Sequence, residues 1–316
     1  MSRFNSPLPH QISANFRTID KRKAKTIEAS LRNNYFVRFP KEYLLTDWGK
    51  NDLENHLFRR LDDDRCLIIP WLDRVRPLRE ASILEIGCGT GSSTVALAEQ
   101  GAKLTAIDID ASSLAVARER CRAYDLDVTF AHGNATEVHK LFSGVHFDYI
   151  IFYAALEHMT IKERISAMKA TWQILSPGSL WCVIETPNRL WYYDSHTSLL
   201  PFYMWLPDEL AFEYSRFSPR DNFREIYREY TGESKLQFLR RGRGVSFHEF
   251  ELAMKPVRQL RIKSSLDVSQ KDRGLLGLVK RRFSNDYRYI SFLRRISPEL
   301  HEGFLTSFLY MIIEKD

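Results

Sequence analysis

The residues of this chain best suited to chemistry begin with Glu85-Ile86-Gly87-Cys88-Gly89-Thr90-Gly91. Glycines let a backbone turn sharply and approach a ligand without Cβ collisions. The spacing is ExGxGxG, with the third glycine two residues after the second, and not the GxGxxG of dinucleotide loops. No Walker lysine follows, which argues against nucleoside-triphosphate hydrolysis. Seventeen residues after Gly91 stands Asp108. A carboxylate there can accept hydrogen bonds from both ribose hydroxyls of an adenosine. Gly133-Asn134-Ala135 falls where an adenine edge would lie, and Tyr153 begins a run that ends in Glu157-His158. On the glycine loop alone, a nicotinamide cofactor or a Rossmann-like domain that binds nothing remains open.

These residues need rigid elements to place them. From Ser82 the chain alternates short apolar runs with helical stretches. The pattern predicts a short strand ending in the glycine loop over 82–89, a strand and its loop over 128–135, and strands at 103–110, 147–156 and 179–187. Helices are predicted at 92–101, 111–125 and 161–175. Short connections between them point to a parallel sheet covered on both faces. Residues 26–78 carry apolar residues at helical spacing, and the first dozen are polar and expected to be mobile. After Pro187 the alternation stops. A helix is expected at 246–254, a strand at 257–266 and a closing strand at 307–315. The resulting plan is an N-terminal cap (1–79), an α/β core (80–187), an insertion closing over the site (188–245), and a completion of the core (246–316) that carries a second insertion at about 267–303.

EIGCGTG, AIDID, GNA, FDYIIFYAALEHM and LSPG, in this order and spacing, resemble the class I S-adenosylmethionine-dependent methyltransferases over about 81–187. The resemblance implies a Rossmann-like seven-stranded sheet with helices on both faces and the last strand antiparallel. It implies S-adenosyl-L-methionine as cofactor. Carried over, Glu85, Gly87, Gly89 and Gly91 line the methionine side, with Cys88 and Tyr153 counted among the cofactor-binding residues. Asp108 holds the ribose, and Ile109 and Ala135 flank the adenine. Asn134 departs from the acidic residue that many members carry. Its amide oxygen is still expected to accept from the adenine amino group, without charge and with some loss of affinity.

Methyl transfer from a sulfonium is an in-line displacement that needs the nucleophile about 3 Å from the methyl carbon and water excluded. A hydroxyl acceptor gains from a base, and histidine suits that task. His158, at the end of the fourth strand, and His196, in Trp191-Tyr192-Tyr193-Asp194-Ser195-His196-Thr197, are the candidates. Asp194 is expected to orient His196. No metal is expected from these two residues, which would need further ligands. His56 is ambiguous, and His248 and Glu249 are placed near the site. Glu185-Thr186-Pro187-Asn188-Arg189 follows the fifth strand, again at a carboxyl end. The apolar run Leu199–Pro207 reads as acceptor pocket, membrane-docking surface or core of the insertion. Arg240-Arg241-Gly242-Arg243 reads as an anion-binding loop or a solvated turn.

Composition narrows the acceptor. The net charge is +6 over 316 residues, too weak alone to imply nucleic acid. Lys21–Lys25, Arg240–Arg243 and Lys280–Arg282 favour RNA electrostatically. Against it, no Asn-Pro-Pro-Tyr-like motif and no Pro-Cys nucleophile is present. Four scattered cysteines fit a reduced, cytoplasmic protein, and no secretory leader is visible. The segments TPNRLWYYDSHTSLLPFYMWLP and GRGVSFHEFELA are similar to a bacterial branch of methyltransferases associated with glycan assembly. The favoured expectation is therefore O-methylation of a sugar-like or other small-molecule hydroxyl with a histidine base. A lipid or quinone-like acceptor with peripheral membrane contact comes second. RNA and a non-enzymatic scaffold come last.

Overall fold

The computed structural model describes residues 15–220, 223–224, 231–267 and 285–316. The expected mobility of the first dozen residues, the basic Lys280–Arg282 and part of the proposed second insertion (268–284) lie outside these. Seven strands form one sheet: β1 Ser82–Ile86, β2 Lys103–Asp108, β3 Thr129–His132, β4 Tyr149–Tyr153, β5 Leu180–Pro187, β6 Arg261–Ser265 and β7 Phe308–Glu314. The order is β3-β2-β1-β4-β5-β7-β6. β1 to β5 pair in parallel, and β7 runs against both β5 and β6. The chain reverses its direction of strand addition at β1, between β2 and β4. That switch point opens a crevice at the carboxyl ends of those strands.

Alternation along the strands decides which face each side chain covers. Ile83 points to a core shared with Leu57, Leu61, Trp71 and Leu72 of the N-terminal helices. Its neighbour Leu84 points to the other face, with Met168 and Phe250. Burying each such side chain stabilises the fold by roughly 1.5–3 kcal/mol. The N-terminal helical region is more regular than the sequence suggests. Residues 47–75 are helical throughout, interrupted by π-helical turns at Asn55–Arg59 and Asp64–Ile68. Such turns swing side chains out of the regular helical register and are frequent at functional sites.

Arg120, fully buried in the helix Ala111–Ala123, donates to Thr90 O of the glycine loop and to His56 O and Leu57 O of the N-terminal helices. One guanidinium thus joins three segments far apart in sequence.

The segment between β5 and the helix Phe247–Ala253 is not irregular throughout. It contains the helices Asp208–Tyr214 and Gly232–Arg240 around its own small core of Leu200, Tyr203, Phe212 and Phe238. It is stitched to the main sheet by Arg189 N to Val245 O, Val245 N to Pro187 O, and Arg243 N to Glu157 O. The helix Asn285–Ile296 lies in the second insertion expected at about 267–303. The strand expected at 257–266 begins only at Arg261, because Val257–Gln259 makes a 3₁₀ turn after Pro256.

Candidate active site

The glycine loop is built by its own neighbours. Gly87 N and Cys88 N donate to Ile107 O, and Gly89 N donates to Asp108 Oδ2 at 2.8 Å. Asp108 Oδ1 accepts from Asp110 N at 2.8 Å. One carboxylate therefore fixes the end of β2 and the loop after β1 together, with acceptor capacity left over. Burial raises the Asp108 pKa, opposed by those N–H groups. Gly87 has φ 77°, and a Cβ there would lie 2.6 Å from Ala155 Cβ. Gly89 has φ 51° with nothing within 4 Å of where a Cβ would stand, and it borders an open cavity.

Glu85, fully buried, accepts from the hydroxyls of Ser93 and of Thr94, the latter at 2.7 Å. Burial pushes its pKa up to about 7, against the pull of those hydroxyls. Cys88 is a buried thiol held well above its ordinary pKa by that burial, which leaves it no nucleophile. Ile109 lies 59% exposed beside Asn134 and Ala135 on the cavity wall, as an apolar flank for a planar base requires. Asn134 differs from expectation. Its Oδ1 already accepts from Thr136 N and Oγ1, at 3.0 and 2.9 Å, and caps the short turn Ala135–Glu137. The half-buried carboxylate of Asp108, the open cradle and the apolar flank fit an adenosyl cofactor.

The cavity encloses about 1360 Å³. That exceeds the roughly 300–1,000 Å³ of a single small-molecule pocket, so it has room for a cofactor and an acceptor. Beyond the loop its wall is made by Arg60, Tyr153, His158, Glu185, Phe308 and Tyr310. The Tyr153 hydroxyl is bonded to the buried Asp64 of the N-terminal helices. It therefore faces a carboxylate from another element and is not turned to the glycine loop. Glu185 has φ 55°, a left-handed conformation uncommon for glutamate, which marks a strained wall residue. Burial raises its pKa, and Arg60 opposes the rise.

His158 is half-exposed on the cavity wall. Its Nδ1 is 2.8 Å from Arg240 O, and a carbonyl accepts, so Nδ1 carries the proton. Packing lowers the His158 pKa, opposed by that hydrogen bond. His196 stands behind it, ring centroids 6.0 Å apart, and does not reach the wall. Burial pushes the His196 pKa down to about 3, and the neighbouring His158 adds to the effect.

Asp194 does not orient the His196 ring. Its oxygens accept from the backbone N–H groups of His196, Thr197 and Ser198 and from the Ser198 hydroxyl, so it builds the turn itself. His248 is also off the site. It pairs with Glu251 on an exposed helix face. His56 is buried on the wall against Thr90 Oγ1, at 3.1 Å. Leu199–Pro207 contributes no wall residue. Leu200, Tyr203 and Met204 belong to the small core of their segment, while Phe202 and Trp205 are exposed. Of the arginine run, Arg243 is buried on Tyr203 O, Leu206 O and Asp208, and Arg240 pairs with Glu163 at 2.7 Å.

Arg60 and Asp64 are wall residues that sequence reasoning missed. The signal available was Arg59-Arg60-Leu61-Asp62-Asp63-Asp64, five charges in six residues of an otherwise amphipathic helix.

Residues 83–178 match the family model described as "Methyltransferase domain". This part of the chain is similar to a methyltransferase domain, and it lies in a seven-stranded, Rossmann-like sheet of the order given above. Among curated proteins, the chain is similar to the "Ubiquinone biosynthesis O-methyltransferase" of Paracidovorax citrulli, 31% identical over 139 residues. That match covers 44% of this chain and 56% of the relative. The protein of the same name from Pseudomonas aeruginosa is 30% identical over 148 residues, covering 47% and 61%. The chain thus spans between half and two thirds of the length of these relatives. Among solved structures, it is similar to magnesium protoporphyrin IX methyltransferase from Synechocystis PCC 6803, with 19% identity, TM-score 0.38 and coverage of 54% of this chain and 79% of that one. An amino pentose methyltransferase from Micromonospora echinaspora shows 24% identity, TM-score 0.33 and coverage of 40% and 49%. No helix among the described residues is long and apolar enough to cross a membrane.

Proposed function

We propose that this chain transfers the methyl group of S-adenosylmethionine to a hydroxyl of a small-molecule acceptor, with a sugar-like hydroxyl as the first choice. The observation that carries the reading is the single cavity running from the glycine loop and Asp108 to His158, Glu185 and Phe308. The cofactor supplies an electrophilic methyl carbon on a sulfonium. Asp108 accepts the ribose hydroxyls, Ile109 and Ala135 flank the adenine, and the glycines admit the methionine portion.

His158 is the base. Its Nδ1–H is committed to Arg240 O, which turns the Nε2 lone pair to the acceptor. Its lowered pKa keeps the ring neutral near pH 7 and ready to take the hydroxyl proton. Arg60, Tyr153 and Glu185 offer polar groups to a polyhydroxylated acceptor, and Phe308 and Tyr310 offer faces for its ring. His196 and Asp194 support this wall from behind. A phenolic, quinone-like acceptor is the second reading, favoured by the name of the curated relatives.

The test combines labelled S-adenosylmethionine with fractionated host extract. Label in the polar fraction supports the sugar-like acceptor, and label in the lipid fraction replaces it with the quinone-like one. His158→Ala is expected to lower kcat by about 10²–10⁴-fold with cofactor affinity unchanged. Full turnover in that variant removes His158 as base.

A further inference from the structure

Where the chain leaves β4 and the 188–245 segment folds back, three side chains converge. Glu157, His158 and His196 each present one metal-competent atom, and these atoms all lie within 4.8 Å of one another. Glu157 is fully buried. One of its oxygens has a long 3.4 Å contact from Thr186 Oγ1, and Oε1 has no hydrogen-bond partner. A bare carboxylate oxygen away from water is costly unless a positive charge meets it. Oε1 lies 4.0 Å from His158 Nε2.

The tautomers favour coordination. His158 Nδ1–H donates to Arg240 O. Thr197 Oγ1 donates its proton to Gly242 O at 3.0 Å, so it accepts from His196 Nδ1–H at 2.9 Å. In both rings Nε2 is left with its lone pair. Metal-ligating histidines have this arrangement, with one nitrogen on the ion and the other on an orienting group. Asp194 supplies the next layer by fixing the turn that carries His196.

We infer that Glu157, His158 and His196 form a binding site for a divalent transition cation of the zinc class. Two imidazoles and a carboxylate are a zinc donor set. Bonds of about 2.1 Å to a tetrahedral ion place ligand atoms about 3.4 Å apart, so the trio closes by up to about 1.4 Å as it takes up the ion. Of the arginines facing the cluster, Arg164 is paired with Glu249 at 3.1 Å, and Arg220 donates to the carbonyls of His196 and Thr197. Arg60 faces Glu185, and Arg241 adds repulsion. An ion here ties the loop after β4 to the 188–245 segment. It also takes the Nε2 lone pair that the proposed function assigns to the acceptor proton, so cation binding and base action exclude each other at His158.

The test is titration of the chelator-treated full chain with Zn²⁺ by calorimetry, and with Co²⁺ by visible absorption. One saturable site is expected, weakened at least about 100-fold in Glu157→Gln and in His196→Ala. It should be unchanged in His248→Ala. Cofactor binding by each variant shows that it has folded, and the near-isosteric Glu157→Gln serves if His196→Ala does not fold. Absence of a stoichiometric site, or binding that survives both substitutions, overturns the inference. Turnover separates the two readings. Loss of activity as Zn²⁺ saturates the site supports the competition, whereas a gain confirms the site and removes His158 as base.

Discussion

Two fully buried glutamates stand at the carboxyl edge of the same sheet, and they are treated differently. Glu85, at the end of β1, has two hydroxyls aimed at it from the next helix, and its pKa rises to about 7. Glu157, after β4, has one oxygen bare, and burial carries its pKa to about 8. The cofactor half of the site is finished by its own local sequence. The acceptor half is left incomplete by the chain, with polar groups gathered from distant segments and not fully satisfied by one another. Preorganisation is a property of the first half, and recognition of something external a property of the second.

The largest expected effect tests the finished half. Asp108→Ala removes the proposed ribose acceptor and the anchor of Gly89 N and Asp110 N together. Cofactor affinity should fall at least about 100-fold, near 3 kcal/mol, by calorimetric titration. Near-unchanged affinity would refute its ribose role.

Next, the double variant Ser93→Ala, Thr94→Val turns Glu85 into a second bare carboxylate. It should cost about 2–3 kcal/mol in denaturant melts at neutral pH, because a buried carboxylate loses both partners. A loss under 0.5 kcal/mol, within the range of ordinary surface changes, would mean that Glu85 never needed them.

Glu157→Gln tests the other glutamate in the opposite sense. Its folded pKa, about 8, lies above the ordinary glutamate value of 4.5. Its stabilising contribution is therefore complete below about pH 4.5 and disappears as pH rises through about 8. In metal-free protein the variant should match the parent near pH 5 and be more stable by about 1 kcal/mol or more near pH 9. A pH-independent difference would remove the carboxylate's titration as the cause.

The smallest effect concerns Asn134. Because its oxygen is already bonded to Thr136, Asn134→Asp keeps the turn. It should change cofactor affinity only a few-fold, under about 1 kcal/mol. A tenfold tightening would show the adenine contact to be direct.

The same division decided what could be read from the sequence. The glycine loop, Asp108 and the strands that carry them lie within 27 residues of one another, from Ser82 to Asp108, and their spacing alone dictates a strand, a tight turn and a helix. The acceptor wall is made by contacts that no spacing announces. Asp64 meets Tyr153 across 89 residues, and His158 meets Arg240 across 82. Asp194 was legible as a polar residue beside His196 but not as a turn-former, because the choice between ring and backbone depends on how the segment folds back. Likewise Leu199–Pro207 is apolar for its own small core, and the same composition would suit a pocket or a membrane surface. Glu185 carried no spacing signal of its strain, which appears only in its φ.

The Arg120 clasp bears on how this protein can be divided. A chain begun at residue 80 would keep every strand and the whole glycine loop, yet its guanidinium would lose the carbonyls of His56 and Leu57. One face of the sheet would also lose the cover of Leu61, Trp71 and Leu72. The nucleotide-cradling half is therefore not a portable module. Grafted into another protein without the first helices, it would bring a cation stripped of two of its three carbonyl partners and a bare apolar face, and would more readily aggregate than bind.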